Sequence, residues 1–419
     1  MTGTDDCRIT LSTNTQTVER TVFSGLAQRH VSLGQVLDDD MQVVDLLRSL
    51  LQEGGCIGIV RNTVKRAQTL AAVVQELLDV EVVLVHSRFL AVDRIKREAH
   101  LRRLLGPPGP EVSRPHALVV IGTQVLEQSL DVDFDALISD LAPVDLLLQR
   151  IGRLHRHDRE RPSSLQEAAC YVTGCDWSCD PPKAIAGSQS IYGQSAMLRT
   201  LGVLRQRWNT GLELPDDIAG LVAAAYEPLR PPGPDAWAPE IIEADEQRAR
   251  TVAESVSRAH SFLLSEPFQP GEETICGLLE GAVGEARDDT GGAAQVRDTE
   301  DSIEVILVHD DNGQLRMMPG NHPASGRSLS ADFEPDQWVA RNLAGYTVPL
   351  PMEISRGRHG DGVIDQLEAA SPPAWQQSHW LRGQLILTLD QNLEASVGEY
   401  HVRYDSERGL EHEKAGDLS

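Results

Sequence analysis

Between residues 54 and 174, short apolar runs alternate with segments of helical spacing, and this alternation leaves few folds open. Cys56–Val60 is a continuous apolar run bounded by glycine, as a strand buried on both faces would be. Val64–Leu78 carries apolar residues at 64, 67, 70, 71, 74, 77 and 78, which make one face of a helix. Glu81–Val85, Ala117–Ile121, Ala136–Ser139 and Ala169–Val172 read as further strands. Phe89–Leu105 and Val144–Arg150 read as helices, and Gly106-Pro107-Pro108-Gly109-Pro110 ends the first of them. Repeated βα units predict an α/β fold, a doubly wound parallel sheet with right-handed crossovers. Ligands on such sheets gather at the carboxyl ends of the strands. Three polar loops fall there: Arg61-Asn62-Thr63, His86-Ser87-Arg88 and Gly122-Thr123-Gln124.

The 419 residues allow two or three domains. Residues 1–53 read as a lead-in, with a strand at Arg8–Ser12 and a helix at Met41–Gln52 carrying Val43, Val44, Leu47, Leu50 and Leu51. Residues 54–174 form the parallel-sheet domain, and 175–265 a helical linker region. Within that linker, Pro215 begins a helix, with Asp216 and Asp217 beside its positive end. Pro239–Leu264 has the composition of a long helix. Residues 266–419 read as a small mixed α/β or β-rich domain. Ile303–Val308 and Gln314–Met318 form a hairpin around Asn312-Gly313, and Leu385–Leu389 and Tyr400–Tyr404 are further strands. The acidic, Gly-rich Asp288–Asp301 is expected to be mobile.

A net charge of −25 argues against a chain that coats nucleic acid indiscriminately. The charge is uneven. Gln149–Arg161 holds five arginines against Asp158 and Glu160, near +3, whereas Glu240–Asp336 holds 21 acidic against 7 basic residues, about −14. Cys170, Cys175 and Cys179 cluster at spacings that fit no common zinc pattern, so no metal site is expected there. No apolar run is long enough for a membrane span, and the chain reads as cytoplasmic with reduced thiols.

The most specific segment is Gly122–His157. It holds Thr123 in a loop after an apolar strand, then Ser129-Leu130-Asp131, then a helix running into Gln149-Arg150-Ile151-Gly152-Arg153-Leu154-His155-Arg156. This order resembles the last two motifs of superfamily 2 helicases, and its closing segment resembles the CRISPR-associated helicase–nuclease of type I systems. The helices at 191–228 favour that branch over a generic superfamily 2 helicase acting on RNA or DNA. The resemblance implies a RecA-like second motor domain at 54–174. It implies that Arg153 and Arg156 are arginine fingers, completed by Gln149 and Gly152, with Ser129 and Asp131 coupling ATP to DNA. A guanidinium suits this role because it is planar, always charged and grips two oxygens. It further implies that Asn62, Thr63, His86, Ser87, Arg88, Thr123 and Gln124 touch single-stranded DNA. Plainer roles stand beside these: Thr63 as a helix cap, His86 as a core histidine, Arg88 as a surface residue and Asp131 as a turn carboxylate.

The sequence contains no G-x-x-x-x-G-K-[ST], its lysines standing only at 65, 96, 183 and 414, and no Asp-Glu-x-His run or paired His-Asp nuclease constellation. A motor needs a phosphate cradle and a metal carboxylate on one domain and fingers on the next. The resemblance therefore implies a rear half of a translocase. ATP with Mg²⁺ would be shared with a first motor domain, and none would be held tightly by this chain alone. The implied partners are single-stranded DNA, a front-half chain with Walker motifs and nuclease, and a crRNA-guided surveillance complex. A non-catalytic DNA- or complex-binding module is the alternative.

Overall fold

The computed structural model describes residues 8–12, 17–21, 28–127, 130–260 and 302–417. Ser129 and the Asp288–Asp301 stretch lie outside them. Two compact units divide the chain, one of residues 1–238 with 302–419, the other of residues 239–301.

In the first unit, strands β1 (Arg8–Ser12) and β2 (Thr17–Thr21) make an antiparallel pair. The central sheet takes β3 (Arg29–Gln35), β4 (Gly55–Val60), β5 (Glu81–Val85), β6 (Ala117–Gly122), β7 (Ala136–Asp140) and β8 (Ala168–Thr173). A short hairpin follows, β9 (Cys175–Asp176) and β10 (Lys183–Ala184), and then β11 (Leu212–Leu214). The seven-stranded order is β11-β3-β8-β7-β4-β6-β5, parallel throughout except for β11 at one edge. This is the expected doubly wound sheet, enlarged. Strand β3 comes from the stretch read as a lead-in, and β11 from the stretch read as helical linker.

Helix α1 (Asp40–Leu50) buries Val43, Val44, Leu47 and Leu50, and Asp39 caps it by accepting from the Met41 N–H at 3.0 Å. Helix α2 (Val64–Leu77) buries Ala67, Leu70, Ala71 and Val74 and is capped by Thr63. Both pack on one core with Ile57, Ile59, Val119 and Ile121. Because helices cover both faces, all six residues of β4 are buried. Helices α3 (Ala91–Leu105) and α4 (Val144–Ile151) follow β5 and β7. Then come α5 (Ala186–Tyr192), α6 (Gln194–Leu204), α7 (Arg207–Thr210) and α8 (Asp216–Tyr226).

Residues 302–417 form a second core within this unit. Strand β12 (Glu304–Asp311) lies beside β13 (Gln314–Met317), β14 (Thr347–Pro349) and, in parallel, β15 (Leu385–Leu389). The β12–β13 turn is the Asn312-Gly313 turn read from sequence, with φ of 56° and 86° as a primed hairpin turn requires. Strands β16 (Glu394–Val397), β17 (Tyr400–Asp405) and β18 (Gly409–Lys414) make a three-stranded sheet. Leu90, from the β5–α3 loop, is buried in this second core. In the other unit, helix α9 runs Ala238–His260 along the expected long-helix stretch. No helix among the described residues is long and apolar enough to cross a membrane.

Candidate nucleotide and nucleic-acid interface

The carboxyl ends of β4, β6 and β7 converge on one buried cation. Arg150, in the last turn of α4, is 1% exposed. Its Nε donates to Glu127 Oε1 at 2.8 Å, and its Nη1 to Ser139 Oγ at 2.9 Å and the Asp140 carbonyl at 3.0 Å. Its Nη2 donates to Asn62 Oδ1 at 2.9 Å and to the Tyr192 hydroxyl at 3.3 Å. A buried charge persists only where its donors are satisfied, and here five partners from four segments satisfy this one. Asn62 is 2% exposed and spends its amide inside the protein, donating to the Leu141 carbonyl and to Ser188 Oγ, both at 2.7 Å. Gln124 donates to the Asn62 carbonyl and the Tyr192 hydroxyl, each at 3.1 Å. Helix α5 thus lies over the loops expected to grip a nucleic acid.

Next to this network sits a second one. Asp140 is fully buried and accepts from Arg61 Nη1 at 3.0 Å, Arg66 Nε at 3.1 Å and the Asn62 N–H at 2.9 Å. Burial opposes its charge, yet Arg61 and Arg66 hold its carboxyl below the ordinary carboxylate value. Thr63 caps α2, its hydroxyl oxygen accepting from the Arg66 N–H at 3.4 Å, and it stays half-buried.

Arg153 and Arg156 stand in a different setting. Gln149 is exposed and Gly152 half-buried. A Cβ at Gly152 would come within 2.9 Å of the Gln149 carbonyl oxygen, so glycine keeps this helix end uncrowded. Arg153 donates from Nη2 to the Glu127 carbonyl at 2.7 Å, while its buried Nε has no partner. Desolvation and the neighbouring Arg156 lower its pKa. Arg156 is 40% exposed and binds Asp131 Oδ1 at 2.6 Å, with His157 Nε2 on the same oxygen at 3.0 Å. Partial burial works to raise Asp131, but Arg156 and His157 hold its carboxyl below the usual range.

A carboxylate row supports this segment. In Asp131-Val132-Asp133-Phe134-Asp135, Val132 and Phe134 are fully buried, and the aspartates meet Arg114, Arg156, Arg159 and Arg161. Asp133 binds Arg159 at 2.6 Å and Arg161 at 2.9 Å. Asp135 binds Arg161, and Arg114 at 2.7 Å. The ladder went unread in the sequence, although the alternation of aspartate with apolar residues, matched by Arg156, Arg159 and Arg161, is a signal that could have revealed it. Glu127, Tyr192 and Arg29 carried no comparable signal.

His86, Ser87 and Arg88 form a separate group under residues 302–417. His86 is 1% exposed, stacks on Phe89 with ring centroids 4.4 Å apart, and donates from Nε2 to the Arg408 carbonyl at 2.9 Å. Burial pushes its pKa down to about 3, so its ring is neutral. Arg88 meets His412 Nδ1 at 3.2 Å and Glu353 at 3.9 Å. Gln68 donates to the carbonyls of Arg408 at 2.8 Å and Leu410 at 3.2 Å. Thr123 is 3% exposed, and its N–H donates to the Val85 carbonyl at 3.3 Å. Asn62, His86 and Thr123 are therefore placed behind the surface, where they support loops. Thr63, Ser87, Arg88 and Gln124 keep partial exposure.

The chain resembles known proteins over both of its cores. Residues 53–159 match the family model "CRISPR-associated nuclease/helicase Cas3, C-terminal", and residues 297–410 match "Cas3 C-terminal domain". A CRISPR-associated nuclease/helicase Cas3 of Streptococcus thermophilus is 32% identical over 399 residues, 93% of this chain and 41% of that protein. T. fusca Cas3 superposes with a TM-score of 0.76 at 25% identity, over 94% of this chain and 44% of that one. A chain in a CRISPR RNA-guided surveillance complex, pre-nicking, shares the fold with a TM-score of 0.71 at 24% identity, over 94% of this chain and 46% of that one. The chain spans less than half the length of each of these relatives. It belongs to the Cas3 helicase–nuclease family and corresponds to that family's C-terminal portion.

Proposed function

We propose that this chain is the rear half of an ATP-dependent single-stranded-DNA translocase in CRISPR antiviral defence. Arg153 and Arg156 act on ATP-Mg²⁺ held chiefly by a first motor domain that brings the phosphate loop, the metal carboxylate and the nuclease. The observation that carries this reading is the Arg153 side chain. It is anchored at one nitrogen by the Glu127 carbonyl and has a buried Nε with no acceptor. A buried guanidinium N–H without an acceptor is costly in isolation and fits a site that an anionic oxygen completes. ATP supplies the developing γ-phosphoryl charge, which a guanidinium fork stabilises. Asp131 keeps Arg156 extended beside it and links the strand-end loops to the finger turn.

Thr63, Ser87, Arg88 and Gln124 are the proposed contacts to the translocating strand. Hydroxyl and amide donors at strand ends grip phosphates without reading bases, which translocation requires. The proposed setting is the cytoplasm, alongside a crRNA-guided surveillance complex.

The test is ATP hydrolysis stimulated by single-stranded DNA, measured for the chain alone and with a chain carrying the phosphate loop. Activity is expected only in the mixture and should fall about a thousandfold or more with Arg153→Ala. No activity in either case would leave a non-catalytic binding module.

A further inference from the structure

Arg29 lies outside every motif read from the sequence and outside both regions matched by the family models. It is the first residue of β3 and pairs with Leu214 of β11 at the sheet edge. Its side chain nevertheless reaches the finger turn, more than a hundred positions away. Nη1 donates to the Leu154 carbonyl and, at 3.2 Å, to the His155 carbonyl. Nη2 donates to the Ile151 carbonyl at 3.1 Å. All three acceptors lie between Arg150 and Arg156.

The finger turn needs outside support on this side. The last carbonyls of a helix have no donors within it, and they carry the negative end of its dipole. Just beyond, His155 stands at φ 48°, a left-handed conformation that a β-carbon disfavours. Phe134 secures the other side of the turn, donating its N–H to the Arg153 carbonyl at 2.9 Å and accepting from the His155 N–H at 3.0 Å. His155 Nε2 donates to the Asp135 carbonyl at 3.0 Å. Arg29 supplies donors to the Leu154 and His155 carbonyls and a second donor to the Ile151 carbonyl, which also accepts the Leu154 N–H at 3.0 Å. The planar fork places two separate donor nitrogens against carbonyls from three residues, whereas a lysine offers its three N–H donors from a single centre.

We propose that Arg29 is the positioning residue of the finger turn, fixing the directions in which Arg153 and Arg156 leave the backbone. This rests on the reading of those two residues as arginine fingers. A finger displaced by about an ångström loses much of its effect on the transition state while substrate binding is little changed.

The experiment compares Arg29→Ala, Arg29→Lys and Arg153→Ala in the motor assembled from this chain and the chain carrying the phosphate loop. For Arg29→Ala and Arg29→Lys, kcat is expected to fall about tenfold or more, with KM for ATP within about twofold of the parent. Millimolar methylguanidinium should restore part of the kcat of Arg29→Ala but none of Arg153→Ala activity beyond background. In parallel, hydrogen exchange of the chain alone should quicken at Gly152–His157 in both Arg29 variants and stay unchanged in β4 and β6.

If Arg153→Ala abolishes turnover while Arg29→Ala leaves kcat and the turn's exchange at parent values, the positioning role is overturned and the finger reading stands. If Arg153→Ala has no effect, the finger reading fails, and the exchange data alone decide whether Arg29 holds the turn. Exchange that quickens throughout the sheet, without methylguanidinium rescue, would make Arg29 a general brace and overturn the proposal.

Discussion

Two arginines six residues apart, Arg150 and Arg156, share one motif and have opposite surroundings. Arg150 is buried among five acceptors and closes the ends of three strands together. Arg156 is 40% exposed and leans on a single carboxylate, Asp131, itself 46% exposed. The same chemical group serves as a lock in one place and as a held but available cation in the other. Burial and the number of partners decide which. The contrast also separates what unfolding experiments should see from what turnover experiments should see.

The largest effect is expected at the lock. Arg150→Ala leaves the buried Glu127 side chain without its partner, and removing one member of such a pair costs about 3–5 kcal/mol. Chemical denaturation should show a lower midpoint with an unchanged denaturant slope. Replacing both members, Arg150→Met with Glu127→Leu, should recover a good part of that loss, because no charge is then stranded. A single variant as stable as the parent would mean that Arg150 is no lock.

The next effect tests the other firmly packed region, where residues 302–417 hold the His86 loop. Gly409 stands at φ +78°, and a Cβ there would meet the Arg88 carbonyl oxygen at 2.6 Å and His86 Cε1 at 2.7 Å. Gly409→Val should cost about 1–3 kcal/mol from backbone strain, before any steric displacement. Faster hydrogen exchange at Leu410, whose N–H donates to the Arg88 carbonyl at 2.8 Å, would place the loosening at this contact. Faster exchange confined to α4 instead would show that the two regions are mechanically one.

The two regions also differ in how they titrate. The strand-end networks are built from arginines and carboxylates, whereas the contact between the His86 loop and residues 302–417 contains His86 from the loop and His412 from β18. Burial, reinforced by neighbouring arginines, pushes these histidines down to about 3 and about 4. Their folded values lie below the unfolded value of about 6.5. As pH falls through 6.5 the unfolded chain therefore binds protons first, and stability is lost progressively between 6.5 and those folded values. Each group contributes at most about 1.4 kcal/mol per pH unit. His86→Gln should flatten the difference in urea stability between pH 7 and pH 5. An undiminished difference would assign the acid sensitivity elsewhere.

These contrasts explain what the sequence could and could not reveal. Strand β4 and helix α2 were legible because both faces of the strand and one face of the helix are apolar. Strand β3 was not, because it buries only Val31 and Leu33 among seven residues, and β11 has just three. The arginine motif at 149–156 was legible as spacing, but spacing of three does not say which arginine turns inward. The family resemblance implies nucleic-acid contacts at His86 and Asn62, which both follow strands. Their inward placement depends on Arg408, Arg150 and Ser188, residues distant in sequence. Arg29 left no trace at all, since a single arginine in a polar stretch has no local pattern.

The smallest expected effect sharpens the opening comparison most. Asp131→Asn removes the charge opposite Arg156, and an exposed pair of this kind is worth within about 1 kcal/mol. Salt should erase the difference, since exposed pairs are screened at molar ionic strength. The Arg150→Ala deficit should persist under the same salt, because no counterion reaches a side chain that the fold excludes from water. If Asp131→Asn lowered stability as much as Arg150→Ala, and salt did not close the gap, Arg156 would be a second lock. Its availability to an incoming phosphate would then have to come from breaking the fold locally rather than from a surface pair giving way. A small, salt-sensitive change would instead place Arg156 where a finger needs to be, held in direction and cheap to release.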